Sequence, residues 1–134
     1  MPIRVINGQV SSVAYAAGGN GRISISGDLG ASSHLSIAVH RGPSTARVVA
    51  IGEVDTNSAE QLGAAVSGVL GGPPTALTID VAGVTFLDTA GIFVLVRAHI
   101  FATDQGSTAT VVNCQPPVRR VLEIAGIFLL LTDQ

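Results

Sequence analysis

The sequence predicts an α/β fold, a mixed sheet of four to five strands backed by helices in the order ββαβαβαβ. Three observations predict it. From residue 35 onward, runs of strand type alternate with runs of helical period, and that alternation implies a mainly parallel sheet covered by helices. The first two strand-like runs follow each other through a short turn, which gives the sheet an antiparallel start. Hydrophobic residues make up 47% of the 134-residue chain and charged residues 12%, so the chain is globular and long enough for one domain with a sizeable core.

Residues 1–34 differ from the rest. They are rich in Gly and Ser and show no helical period. This segment reads as an N-terminal extension, flexible or partly stranded. "RISIS" (22–26) has the pattern of a short strand and "GGNG" that of a turn. Residues 35–134 read as the domain proper.

The elements follow in order. "LSIAVHR" alternates as a half-buried strand does, "GPS" turns the chain, and "ARVVAIGEV" reads as a more buried strand. Ala59, Leu62, Val66, Val69 and Leu70 then recur at helical spacing. Asn57 with Glu60 has the logic of a capping box, and Gly71-Gly72-Pro73-Pro74 stops the helix. "TALTIDVAG" is of strand type. Asp88 is a natural N-cap for a second helix running to about Thr103, with Ile92, Leu95, Val96 and His99 on one face. "STATVVNC" is a strand that Cys114 ends as a small core residue. "QPPVRRVLEIAG" is a helix opened by Pro and closed by Gly126, and "IFLLL" reads as a last strand.

Composition excludes several classes. The net charge is −2, with seven Arg, no Lys and no basic run longer than Arg119-Arg120, so no nucleic-acid face is expected. Without Lys there is neither Schiff-base chemistry nor a phosphate-loop lysine. A single cysteine excludes an internal disulfide and a Cys-pair zinc site, and fits a reduced, cytoplasmic setting. The N-terminus has no long apolar core after Arg4, so no signal peptide is expected. The longest apolar runs are too short to cross a bilayer, and no membrane insertion is expected. His34, His40 and His99 share no metal-ligand spacing and read as structural. No nucleophile elbow or paired carboxylates are visible, so neither catalysis, cofactor nor metal is expected. Arg119 and Arg120 read as a solvated helix face.

One stretch stands out. "VTFLDTAGIFVLVRAH" sets Asp88, Thr89, Ala90 and Gly91 inside an apolar run. Thr89 falls at the first helical position after the cap, at the positive end of the helix dipole, where free amides point the same way. A phosphate on its hydroxyl would suit the dipole but would stand close to the Asp88 carboxylate. Ala90 and Gly91 leave the approach open. The same arrangement also reads as a plain cap followed by a good first-turn residue, and caps are far commoner than modification sites.

The sequence resembles the anti-sigma factor antagonist family, the single STAS-domain proteins of bacterial sigma-factor switches. "AIGEVDTNSAEQL", "LTIDVAGVTFLDTAGIFVLV" and "ATVVNCQPPVRRVLEIAGIFLLL" are similar to the family's three motifs and come in its order and spacing. The match covers about residues 35–132. The resemblance implies a STAS-like fold, and a regulatory protein that binds an anti-sigma factor, often a Ser/Thr kinase, to release a sigma factor. It implies that phosphorylation of the residue after the motif Asp, here Thr89, switches that binding off. Asp55 matches the family's acidic residue beside the phosphoacceptor. Asp55, Asp88, Thr89, Ala90 and Gly91 are thus the expected partner-binding residues, on a protein that is a monomer when free.

There are departures. Thr stands where Ser is usual, Ala90 replaces a second hydroxyl, Ile92-Phe93 is bulkier than the usual Leu-Gly, and the chain ends at Gln134 where the family continues into a last helix. Two other STAS roles stay open: a scaffold subunit of a stress-sensing complex, and a subunit of a lipid-transport ATPase.

Overall fold

The computed structural model describes residues 12–15, 22–26 and 35–132. His34 and the turn expected at 18–21 lie outside the described residues. The elements are β1 (Ser12–Tyr15), β2 (Arg22–Ser26), β3 (Leu35–Arg41), β4 (Thr45–Val54), α1 (Ala59–Leu70), β5 (Ala76–Leu87), α2 (Thr89–Asp104), β6 (Thr108–Val112), α3 (Pro116–Ile124) and α4 (Phe128–Thr132). The strands lie in the sheet in chain order. They are antiparallel from β1 to β4 and parallel from β4 to β6. Strands β3 to β6 with their helices give the expected mixed α/β fold. β2 is the expected "RISIS" strand, whereas β1 was not anticipated.

Period-two burial holds along the strands. Leu35, Ile37 and Val39 on β3, Ala46, Val48 and Ala50 on β4, and Leu77, Ile79 and Val81 on β5 turn inward to one core. Leu62, Val66, Val69 and Leu70 of α1 cover it. On α2 the buried stripe is Gly91, Leu95, Ala98 and Ala102. Of the face expected from the sequence, Leu95 is fully buried while Ile92, Val96 and His99 are half-buried. The helix is apolar nearly all round, so size decides the stripe, and small residues let it sit close.

Two expectations are corrected. The last apolar run is the short helix α4, not a strand. Gly126, at φ 79°, closes α3, and the Ile127 amide then donates to the Leu122 carbonyl. Leu131 is buried while Leu129 and Leu130 are exposed. Five consecutive apolar residues carry no period of their own, so sequence alone cannot separate strand from helix there. The second correction concerns the start of α1. Ser58, not Asn57, occupies the cap position, and no side chain makes a standard cap bond there. The Asp55 carboxylate reaches forward instead, accepting from the amides of Asn57 at 2.9 Å and Ser58 at 3.1 Å. Asn57 is left exposed.

Candidate functional site

The two central parallel strands end together. Val54, the last residue of β4, pairs with Leu87, the last of β5, and the Asp88 amide donates to the Val54 carbonyl at 3.1 Å. Asp55 and Asp88 therefore follow adjacent strand ends, and each precedes a helix. In an open α/β sheet this carboxyl-end position is where ligands and partners are commonly met.

Asp88 holds the start of α2. Its backbone is extended, its side chain accepts from the Gly91 amide at 3.1 Å, and its carbonyl accepts from the Ile92 amide at 2.9 Å. Thr89 is the first helical residue and is exposed. Its hydroxyl has no hydrogen-bond partner among the described residues. Ala90 is half-buried against the core. Gly91 is buried, and a Cβ there would stand 2.4 Å from Leu87 Cδ1 and 2.8 Å from Val54 Cγ1. Gly91 thus supports the surface from beneath rather than forming part of it: without a side chain, the first turn of α2 can rest on the ends of β4 and β5.

The neighbouring turn is built differently. The Ser58 hydroxyl donates to the Glu53 carbonyl at 2.7 Å, accepts from the Asp55 amide at 3.0 Å and lies 3.1 Å from the Asp55 carboxylate. Ser58 is 1% exposed. Asp55 is therefore committed to the turn, and only part of its carboxylate faces outward. Ser58 was missed in the sequence; its signal was an acidic residue three positions before a hydroxyl at a helix start.

The surface around Thr89 is apolar and acidic. Phe86 is 50% exposed and Phe93 62% exposed. Phe93 lies four residues after Thr89 and so shares its side of α2. That spacing was legible in the sequence, but in a helix apolar nearly all round only the exposed Arg97, one turn beyond Phe93, marked that side as the outer one. The ionisable residues of segments 53–60 and 86–93 are Glu53, Asp55, Glu60 and Asp88, all acidic.

The remaining candidates are structural or solvated. No group of three metal-ligating residues occurs among the described residues. Cys114 lies two residues past β6 and is half-buried, rather than ending the strand inside the core. Burial pushes its thiol above the ordinary range, while the Arg119 charge pulls the other way. Arg119 pairs with Glu123 at 2.8 Å and lies over the Phe128 ring, as an exposed helix face permits. No helix of the described residues is long and apolar enough to cross a membrane.

A family model described as "Mlab, STAS domain" matches residues 37–132. The chain belongs to the STAS-domain family. No curated protein sequence matches the chain. Among solved structures, an anti-sigma factor antagonist from Mycobacterium paratuberculosis is similar, with a TM-score of 0.66, 24% identity, and coverage of 75% of this chain and 86% of that one. The anti-sigma factor antagonist SpoIIAA in its unphosphorylated form has a TM-score of 0.58 at 22% identity, over 65% of this chain and 76% of that one. An antisigma-factor antagonist STAS domain from Rhodobacter sphaeroides has a TM-score of 0.52 at 15% identity, over 64% and 97%. These likenesses bear on the fold. The STAS residues expected to carry function, Asp55, Asp88 and Thr89, come together at one edge, with Ala90 and Gly91 beneath and beside them.

Proposed function

We propose that this STAS protein is an anti-anti-sigma factor. It binds an anti-sigma factor through the edge formed by Asp55, Asp88, Thr89 and Ala90, and so releases a sigma factor. It acts by binding, in the cytoplasm, and needs no cofactor. The partner is a Ser/Thr kinase that transfers the γ-phosphoryl of ATP to the Thr89 oxygen; the bond from the γ-phosphorus to the bridging oxygen breaks, ADP leaves, and the hydroxyl proton passes to the kinase.

One observation carries this reading: Thr89 is exposed at the N-terminus of α2, and its hydroxyl has no hydrogen-bond partner among the described residues. A phosphate adds about −1.5 to −2 charges at neutral pH. In the free protein the helix dipole returns only about 0.3–1 kcal/mol, so the fold should hardly respond. At a docked interface the dianion must be desolvated among Asp55, Asp88, Glu53 and Glu60. An uncompensated buried charge costs several kcal/mol, and each ~1.4 kcal/mol is about tenfold in affinity.

The test is a titration of wild type, Thr89→Glu and Thr89→Ala against the anti-sigma factor recovered by pull-down, beside a kinase assay. Thr89→Glu should weaken binding by about a hundredfold or more with the melting temperature nearly unchanged. Thr89→Ala should bind and take no phosphate. Equal affinity for all three, with no phosphate at Thr89, would remove the switch. Recovery of a stress-sensing assembly or a transport ATPase in place of an anti-sigma factor would support the scaffold or transport role.

A further inference from the structure

The outer side of the helical layer is uneven. Helices α1 and α2 follow neighbouring parallel strands and so run the same way. Between them Glu60, Gly63, Ala64, Ser67, Arg97 and Phe101 line a groove of about 510 Å³. The α1 wall is low. Glycine weakens a helix interior, yet α1 carries two. A Cβ on Gly63 would stand 3.9 Å from Val94, an ordinary contact, and one on Gly68 would meet nothing within 4 Å. Packing among the described residues therefore requires neither glycine. What they supply is a surface that another chain can approach closely.

The α2 wall is high. Phe93, Ile100 and Phe101 are exposed on it, with Arg97 between them at helical spacing. Large apolar side chains gathered on one outer face mark an interaction surface. The charges divide in the same way as the bulk. Glu60 is the one ionisable residue of α1, and Arg97 is the one arginine of α2. Both are exposed. Neither joins an ion pair among the described residues, where the pairs are Arg47–Asp80 and Arg119–Glu123.

We propose that two copies of the chain associate through this groove about a two-fold axis. An isologous interface must be self-complementary: each residue meets in the other copy the residue that meets it. This surface has that property in shape and in charge. The high apolar wall of one copy lies on the low wall of the other, and Arg97 of each copy faces Glu60 of the other. A ligand with a single charge would leave either Glu60 or Arg97 without a counter-charge. A second copy supplies both by symmetry. The dimer stands in place of the free monomer that the resemblance implies. It uses neither Asp55, Asp88 nor Thr89, so it does not rest on the function proposed above.

The experiment is sedimentation equilibrium of the full chain from micromolar to millimolar concentration. Wild type should pass from monomer to dimer. Arg97→Glu sets two like-charged pairs across the interface and should weaken the dimer about tenfold or more. The double variant Glu60→Arg/Arg97→Glu exchanges the charges and should restore it, a rescue that a merely structural role would not give. Gly68→Leu has room in the monomer and replaces a poor helix former, so its melting temperature should not fall while its dimer weakens. A wild type that stays monomeric throughout would overturn the proposal. So would a dimer that survives both Arg97→Glu and Gly68→Leu, or one that the double variant fails to restore. A monomer whose binding to the anti-sigma factor is lost in Gly68→Leu would give the groove to that partner and overturn the dimer.

Discussion

Two helix starts stand side by side at the carboxyl end of the sheet, and they treat a hydroxyl in opposite ways. At α1, Asp55 is followed three residues later by Ser58, whose hydroxyl is buried and engaged by Glu53 and Asp55. At α2, Asp88 is followed at once by Thr89, whose hydroxyl stands exposed. Spacing makes the difference. Three residues on, the chain has turned back over the strand end and the hydroxyl faces the backbone it left. One residue on, it is still at the rim. An Asp with a nearby hydroxyl at a helix start is therefore not in itself a functional sign, and the register of the pair decides whether it holds the fold or faces a partner.

The largest effect should come from the support beneath the second start. Gly91→Val drives a branched side chain into Leu87 and Val54, and overpacking of this kind costs about 1–3 kcal/mol. Urea denaturation should show the loss, and a midpoint equal to wild type would break the picture of α2 resting on the strand ends. Ser58→Ala is next. It leaves the Glu53 carbonyl and the Asp55 amide without their partner, at about 1–2 kcal/mol. If that loss does not appear, the first start is no more structural than the second. Asp88→Ala removes a single cap bond and should cost about 1 kcal/mol.

Smaller effects sharpen the contrast. Burial pushes the Asp80 carboxyl up, but bonds from Ala82, Arg47 and Asn113, with the Arg47 charge, outweigh it and hold the group below its ordinary 3.8. Its contribution is thus present above that value and lost as pH falls from there through the folded-state value. A partly exposed pair of this kind contributes about 0.2–1 kcal/mol. Asp80→Asn should be slightly less stable than wild type at neutral pH, and the gap should close in acid. A gap that widens in acid would reverse the sign. Thr89→Ala should lie within about 0.5 kcal/mol of wild type, because none of the described residues bonds to its hydroxyl.

Much of this was legible in the sequence. The alternation from Leu35 onward marked the strands and the central helices, and Asp88 read as the cap it is, because caps and period-two runs are local signals. The start of α1 was misread, since Asn57 and Glu60 satisfy a local rule that the longer reach of Asp55 overrides. The last apolar run was misread because Ile127 to Leu131 offers no contrast between faces. Apart from the signal of Arg97 one turn beyond Phe93, the exposure of Phe86 and Phe93 was hidden for the same reason: an apolar residue announces burial, and only the packing of its neighbours shows that it has been left outside.

The most direct test of the central claim is a map of phosphate on the protein after incubation with its anti-sigma kinase and ATP, read by mass spectrometry of its peptides. One phosphate on Thr89, with Ser58 unmodified, is the result that the two helix starts predict. Phosphate on Ser58 with Thr89 bare, or no phosphate on either while the kinase modifies other substrates, would contradict it.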